Sequence, residues 1–377
     1  MASAIDDTKP TAGNALTGDV RANFTTAKNE ITTLQNAITN VENKSFAVGI
    51  PAATVAAANK VTPVSADEFM LVDSAAANII KNLTYAQLLA AVKNGLMYLF
   101  DTRQDFRLSL TSGSPAPSAD VTGATTIYCT PYCGNNIALY DGTKWILDTS
   151  VEFSIALGTL TSGLPYDVFC YDAAGVPTLA ILAWTSSTAR ATALAYQDGI
   201  LVKSGDATRR YLGTFVTTST TQTEDSVTNR YLWNYYNRVH KYMERHESAA
   251  TWTYTTATIR QANANAANQL NFVIGVVEDV VNAMLVATAQ NTNTGVIVAA
   301  GVGLDSTTAI AADGITAPAT TSIANGYVPL ITPYVSYVSI GKHYLAWLEY
   351  SAATGTTTWT GTPTTTINAG IMGSLLG

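Results

Sequence analysis

The stretch from Gly142 to Trp184, GTKWILDTSVEFSIALGTLTSGLPYDVFCYDAAGVPTLAILAW, decides the fold class. Its apolar residues fall in short β-branched and aromatic runs punctuated by turn-forming residues, which is the chemistry of strands. Ala174-Gly175 lies inside it, while Asp141-Gly142 and Asp198-Gly199 bound it on either side. Such pairs tolerate positive φ, and their spacing suits hairpins. Working outward, FRLSLTSGSPAPSAD (Phe106 to Asp120) and DGILVKSGDATRRYLGTFVTT (Asp198 to Thr218) continue the pattern, so residues 98–246 read as one β-rich domain.

A further region, residues 247–377, repeats the style with TWTYTTATIRQ, NQLNFVIGVVEDVVNAMLVATAQ, VIVAAGVGLDS and YVSIGKHYLAWLEYSA, and is expected to form a C-terminal β-sandwich tip. Between Phe272 and Leu285 both strand faces carry apolar residues, whereas an antiparallel sheet with one wet face should alternate. Either that strand pair is central to the sandwich, or its second face meets a neighbouring subunit.

Ahead of the β regions the periodicity changes. Val20, Phe24, Ala27, Ile31, Leu34, Ile38 and Val41 are separated by 4, 3, 4, 3, 4 and 3 residues. A 3.5-residue repeat held for three heptads is a coiled-coil seam, placed here at residues 17–44. No matching long helix follows, so the expected partner is another copy; the alternative is an amphipathic helix docked on its own domain. The seam residues lean towards two strands without fixing the copy number. Residues 1–16 precede the seam, and residues 45–97 read as a linker plus a small α/β spacer. In that spacer a strand pair turns around Ser74 to Asn78, and a helix follows, capped by Thr84, stopped by Gly95 and packed through Leu88, Leu89 and Val92.

Composition narrows the function. The 377 residues suffice for two or three domains, and only 12% are charged, about half the usual share. A net charge of -7 excludes a general attraction to phosphate backbones, so no nucleic-acid partner is expected. No run approaches the ~18 apolar residues of a membrane helix, and the acidic start MASAIDDTKP is unlike a secretory signal. No membrane insertion is expected, and the chain reads as made in a reducing cytoplasm.

Candidate chemistry is sparse. Cys129 and Cys133 in TTIYCTPYCGNNIALYDGTKW (Thr125 to Trp145) lack the four N or S ligands of a zinc site, and His240, His246 and His343 are too scattered to complete one. Four residues apart on a strand, the two cysteines are too distant for a disulfide and read as buried or semi-buried thiols. Glu278 and Asp279 would point to opposite faces of a strand, a poor pair for glycoside hydrolysis, and a turn is their better use. GVGLDS (Gly301 to Ser306) reads as a strand end, HKYMERHE (His240 to Glu247) as a solvated linker, and Arg209, Arg210, Arg230, Arg238 and Arg245 as a solvated, mildly basic surface. No catalytic residue, metal or cofactor is expected. Tyr231, Trp233 and Tyr235 alternate on one strand, and Tyr344 and Trp347 enrich the last region; these are either sandwich core or a face on which a surface ligand could stack.

Several of these stretches resemble one family. KPTAGNALTGDVRANFTTAKNEITTLQNAI (Lys9 to Ile38) resembles the start of many tailed-bacteriophage fibre proteins. SADEFMLVDSAAANIIKNLTYAQLLAAV (Ser65 to Val92) is similar to a short module of phage tail fibres. The Thr125 to Trp145 segment, with RRYLGTF (Arg209 to Phe215) and RYLWNYYNRV (Arg230 to Val239), resembles a domain of phage structural proteins. The resemblance implies a mainly β, homotrimeric fibre: a virion component with an N-terminal coiled coil, antiparallel β-sandwich domains and attachment through residues 1–16 to other virion proteins. It further implies a non-catalytic role in host attachment, with a bacterial surface glycan or protein as partner, after assembly in the host cytoplasm. The alternatives are a capsid-attached head fibre or decoration protein, and a tailspike that degrades host polysaccharide.

Overall fold

The computed structural model describes residues 17–46, 64–73, 79–100, 102–316, 318–362 and 368–377. The proposed attachment segment, most of the linker and the Ser74 to Asn78 turn lie outside the described residues. The protein is mainly β and carries two described α-helices, α1 (Thr17–Phe46) and α2 (Tyr85–Phe100). Contacts divide the chain into two compact units, Met1–Leu88 and Leu89–Gly377.

In the first unit, α1 is a single 30-residue helix whose Thr26, Thr32 and Thr33 hydroxyls donate to carbonyls one turn earlier. The strands Glu68–Asp73 and Ile79–Thr84 pair antiparallel, Glu68 opposite Thr84. Helix α2 then starts on a reciprocal cap: the Gln87 amide N–H donates to Thr84 Oγ1 at 3.2 Å, and the Thr84 N–H donates to Gln87 Oε1 at 2.9 Å. The helix does not stop at Gly95 but runs on to Phe100. A glycine inside a helix costs only about 1 kcal/mol, too little by itself to end one. Leu89 and Val92, expected on an inner side, are exposed.

In the second unit, three sheets carry the architecture. A middle sheet runs Pro177–Ala183, Pro165–Asp172, Asp206–Val216, Ile200–Lys203, Leu194–Gln197, with Leu232–Asn234 also on Asp206–Val216. An eight-stranded sheet is centred on Gly341–Ser351, between Ile297–Leu304 and Gln269–Ile274. A six-stranded sheet is centred on Val280–Asn291, between Val328–Tyr337 on one side and Gly370–Leu376 on the other. The last two sheets share one core: Phe272, Val302, Leu345 and Trp347 from one meet Val281, Leu285, Tyr334 and Ile371 from the other. That core also takes in Phe169, Tyr211 and Trp233, so residues 98–246 and 247–377, read from the sequence as separate domains, pack together. HKYMERHE is correspondingly no linker: His240–His246 is a strand paired along its whole length with Gly370–Leu376. A second core gathers Phe106, Ile127, Cys129, Val168, Cys170 and Phe215.

The hairpin signals are realised locally. Asp198 and Gly199 form a two-residue turn with φ of 52° and 82°, joining Leu194–Gln197 to Ile200–Lys203. At Asp141 the side chain closes the loop, accepting from the Thr143 and Lys144 N–H groups at 2.8 Å each.

Candidate functional site

A cavity of about 370 Å3 opens in the second unit between Arg190, Leu194, Tyr196 and Leu201 on one side and Gly275, Val276 and Ile340 on the other. Arg190 follows the tight Thr185 to Ala189 loop, which is closed by the Thr185 N–H donating to the Ala189 carbonyl at 2.9 Å. Its guanidinium is buried. Nε donates to Asp167 Oδ2 at 2.7 Å, and Nη2 donates to Asp167 Oδ1 at 3.2 Å, Tyr211 Oη at 3.3 Å and the Gly275 carbonyl at 2.6 Å. Trp184 and Tyr211 lie beneath the cation with ring centroids 4.6 and 5.4 Å away. Thr214 donates to Asp167 Oδ1 at 2.8 Å and shares a hydrogen bond with Tyr211 Oη at 2.6 Å.

Strand pairing sets this network, because Thr214 sits directly opposite Asp167 in the register. Burial pushes the Asp167 carboxyl up, while Arg190 and Thr214 pull it back. Burial opposes the Arg190 charge too, but Tyr211 and Asp167 outweigh it, so the guanidinium is held more firmly protonated than usual. Burial raises the Tyr211 phenol, which keeps it neutral. The cavity therefore has a floor formed by the Arg190 guanidinium paired with Asp167, apolar walls and one exposed aromatic at the rim, Tyr196. Such an arrangement suits binding of a small polar group with an apolar face.

The expected basic surface loses Arg210 to burial, whereas Arg209, Arg230, Arg238 and Arg245 stay partly exposed. Arg210 and Arg107 are each 1% exposed. Arg210 donates to the carbonyls of Ala138 at 2.7 Å, Thr102 at 2.8 Å and Arg103 at 3.1 Å, over the rings of Tyr236 and Trp145. Arg107 donates to the carbonyls of Pro115, Asn237 and Gly377. Arg230 pairs with Asp225, and Arg238 with Glu278 and Asp279, so those two carboxylates share one cation in a bend between strands. Asn234 and Asn237 complete the pattern. Asn234 exchanges hydrogen bonds with the Leu108 N–H and carbonyl, and Asn237, at φ 51°, donates to the Gln104 and Phe106 carbonyls. The RRYLGTF and RYLWNYYNRV segments thus staple the strand Phe106–Ser109 to the sheet behind it.

The aromatic stacking candidates are mostly core. Tyr231, Trp233 and Trp347 are buried and are not presented to a ligand, whereas Tyr235 and Tyr344 are partly exposed. Trp233 and Tyr235 contact each other at 6.3 Å, and Lys342 sits 5.4 Å over the Tyr231 ring. The seam residues are placed differently: Phe24, Ile31, Leu34 and Ile38 are 72%, 56%, 59% and 52% exposed in the single chain, and Ala27 is half-buried. Val20 and Val41 fall within α1, but their side chains lie outside the described residues.

Among the thiols, Cys129 and Cys170 are buried and free, and burial pushes Cys170 up to about 12. Cys133 departs from expectation: the strand ends at Pro131, and Cys133 is exposed beyond it. His343 is buried between Asp305 Oδ2 at 2.7 Å and the Ser339 carbonyl at 2.9 Å, and GVGLDS closes the strand Ile297–Leu304. No group of three or more His, Cys, Asp or Glu residues suited to a metal occurs among the described residues.

No protein-family model and no curated protein matches the chain. Solved structures show only a slight likeness, and three of them serve as examples. The insecticidal delta-endotoxin Cry8Ea1 of Bacillus thuringiensis is 7% identical with a TM-score of 0.20, over 84% of this chain and 60% of that one. An infectious bursal disease virus Gx strain structure is 10% identical with a TM-score of 0.21, over 73% and 67%. A Bacillus thuringiensis Cry1Da tryptic core variant is 9% identical with a TM-score of 0.18, over 84% and 58%. The chain spans less than two thirds of either toxin, and likeness at this level identifies neither fold family nor function.

Proposed function

We propose that the chain is one protomer of a homotrimeric, non-catalytic fibre of a tailed-phage virion, and that it takes part in attachment to the host surface. The observation that carries this reading is α1. Its aliphatic and aromatic stripe has no cover among the described residues, and each such side chain gains about 1.5–3 kcal/mol on full burial. A helix rich in Thr and Asn is marginal alone in water, so its own stability calls for partners. Copies of the same helix supply them at the 3.5-residue repeat. The trimeric state and the virion setting come from the phage-fibre resemblance.

In this reading α1 bundles the copies and the β unit carries the host contact. The Arg190 cavity is the candidate contact point: its volume accommodates a terminal sugar ring, Tyr196 offers a stacking face, and the paired guanidinium offers donors. Three linked sites would compensate for weak single ones. The test combines sedimentation with adsorption competition. The purified chain is expected to sediment as a trimer at micromolar concentration and to block adsorption of the phage that carries it. A single-chain mass refutes the assembly, and an oligomer that leaves adsorption unchanged refutes the attachment role.

A further inference from the structure

The six-stranded sheet has one face buried in the shared core and one face turned outward. Along Val280–Asn291 the inward residues Val281, Ala283, Leu285, Ala287 and Ala289 are buried, as alternation requires. The outward residues are not the polar set of a solvated sheet. Val280 faces Tyr337 across the ladder, Asn282 faces Val335, Met284 faces Pro333, and Val286 faces Ile331. Ile331 and Val335 are each 57% exposed and Tyr337 is 65% exposed. On the opposite flank, Met372 lies beside Met284, and Tyr242 lies one strand further out on the same face. The charged member here is Glu244, and it is paired with His246 at 2.7 Å.

We infer that this outward face is a second self-association surface, covered in the assembled protein by another copy of this chain. The inference rests on the self-association reading and goes beyond it, since the face is remote in sequence from α1. Three arguments select a copy as the occupant. The exposed apolar side chains on it amount to on the order of 500 Å2, with an aromatic side chain at about 150–250 Å2 and the aliphatic ones below that. That is near the upper limit for a monomer's largest patch, and it is most of one side of a standard interface at about 800 Å2. The face carries almost no charge, so it is complementary to itself and needs no oppositely charged partner. Copies gathered by α1 meet at an effective concentration near millimolar, where even a weak homotypic contact is populated. Pro329 and Pro333 on Val328–Tyr337 remove N–H donors, which directs association to the face and away from edge-to-edge pairing.

The test uses full-length protein with the exposed Cys133 replaced by Ser. A single new thiol is placed either on the face, V335C, or in a hairpin turn of matching exposure, V176C, and maleimide labelling rates are compared. In a sedimenting oligomer, V335C is expected to label at least about tenfold more slowly than V176C, because it reacts only on local opening. In an I331K background, M284C is expected to label faster than in the parent by a similar factor, because the lysine prevents close approach. Equal rates for V335C and V176C in an oligomer overturn this inference and leave the fibre reading standing. A single-chain mass overturns both.

Discussion

Helix α1 and the β unit that follows carry similar apolar side chains in regular patterns, yet their stripes end in opposite environments. Leu285 and Ile371 are fully buried because a second sheet of the same chain closes over them, whereas Ile31 and Leu34 remain more than half exposed. A sheet face can be covered by the next sheet, but a lone helix with a narrow seam needs a second helix. In the proposed assembly, folding information for the β unit lies within one chain, and that for α1 between chains.

The sharpest way to break this comparison is the double substitution I31K/L34K, which sets two like charges in the seam of every copy. The oligomer is expected to dissociate to single chains by sedimentation, and far-UV circular dichroism is expected to lose the α1 signal while the β unit keeps its unfolding midpoint. Retention of both mass and helix signal would show that α1 finds its cover within its own chain.

Adjacent arginines give the next largest contrast. Arg210 is buried and satisfies three carbonyls, while Arg209 lies partly exposed with its guanidinium 3.4 Å from the Tyr171 ring centroid. Removing a buried charged donor strands its acceptors, so R210M is expected to cost about 3–5 kcal/mol by urea unfolding. R209M should cost no more than about 1 kcal/mol.

That pair also shows where sequence reading reaches its limit. The heptad spacing of α1 and the positive-φ pairs Ala174-Gly175 and Asp198-Gly199 are local signals, and helix and turns followed from them. The fate of Arg210 is not local. Its acceptors lie 72 to 108 residues away, and nothing adjacent to it in the chain separates it from Arg209. Tyr231 and Trp233 were recognisable as strand aromatics, but alternation identifies two faces without saying which one a second sheet will cover. The Arg190 cavity was not legible at all, because it joins residues 190–201 to Gly275 and Ile340 only after the sheets have packed.

Buried polar staples should also make the β unit sensitive to acid. Glu247 is 2% exposed and accepts from the Ala249 N–H at 2.9 Å and from Asn265 and Asn268 Nδ2 at 2.9 and 2.7 Å. Burial raises its carboxyl, but these donors more than offset burial and hold it at about 2. A folded value below the unfolded one contributes stability that is fully present above about pH 4.5 and lost as pH falls towards 2, roughly 3 kcal/mol in all. Burial raises Glu349 and Asp167, so these two act in the opposite sense and gain on protonation. The E247Q variant is therefore expected to lose less stability than the parent between pH 6 and pH 3. Parallel curves for the two proteins would remove Glu247 as the acid-sensitive group.

The smallest effect concerns a close approach in the β unit, at Gly275. Gly275 lends its carbonyl to Arg190, and a Cβ there would lie 2.2 Å from Tyr211 Oη and 2.5 Å from the Trp233 ring. Neither neighbour has room to retreat, since Tyr211 and Trp233 are both core residues. G275A should therefore overpack the wall shared by the core and the cavity, at about 1–3 kcal/mol. Because the displaced Gly275 carbonyl also loosens Arg190, the same variant should weaken adsorption competition by more than its stability loss accounts for. G142A serves as control: Gly142 is in a hairpin loop with open space around its missing Cβ, so any cost there comes only from its φ of 102°. If G275A lowers stability yet competes for adsorption as well as the parent does, the cavity is a packing feature and not the contact point of the proposed attachment.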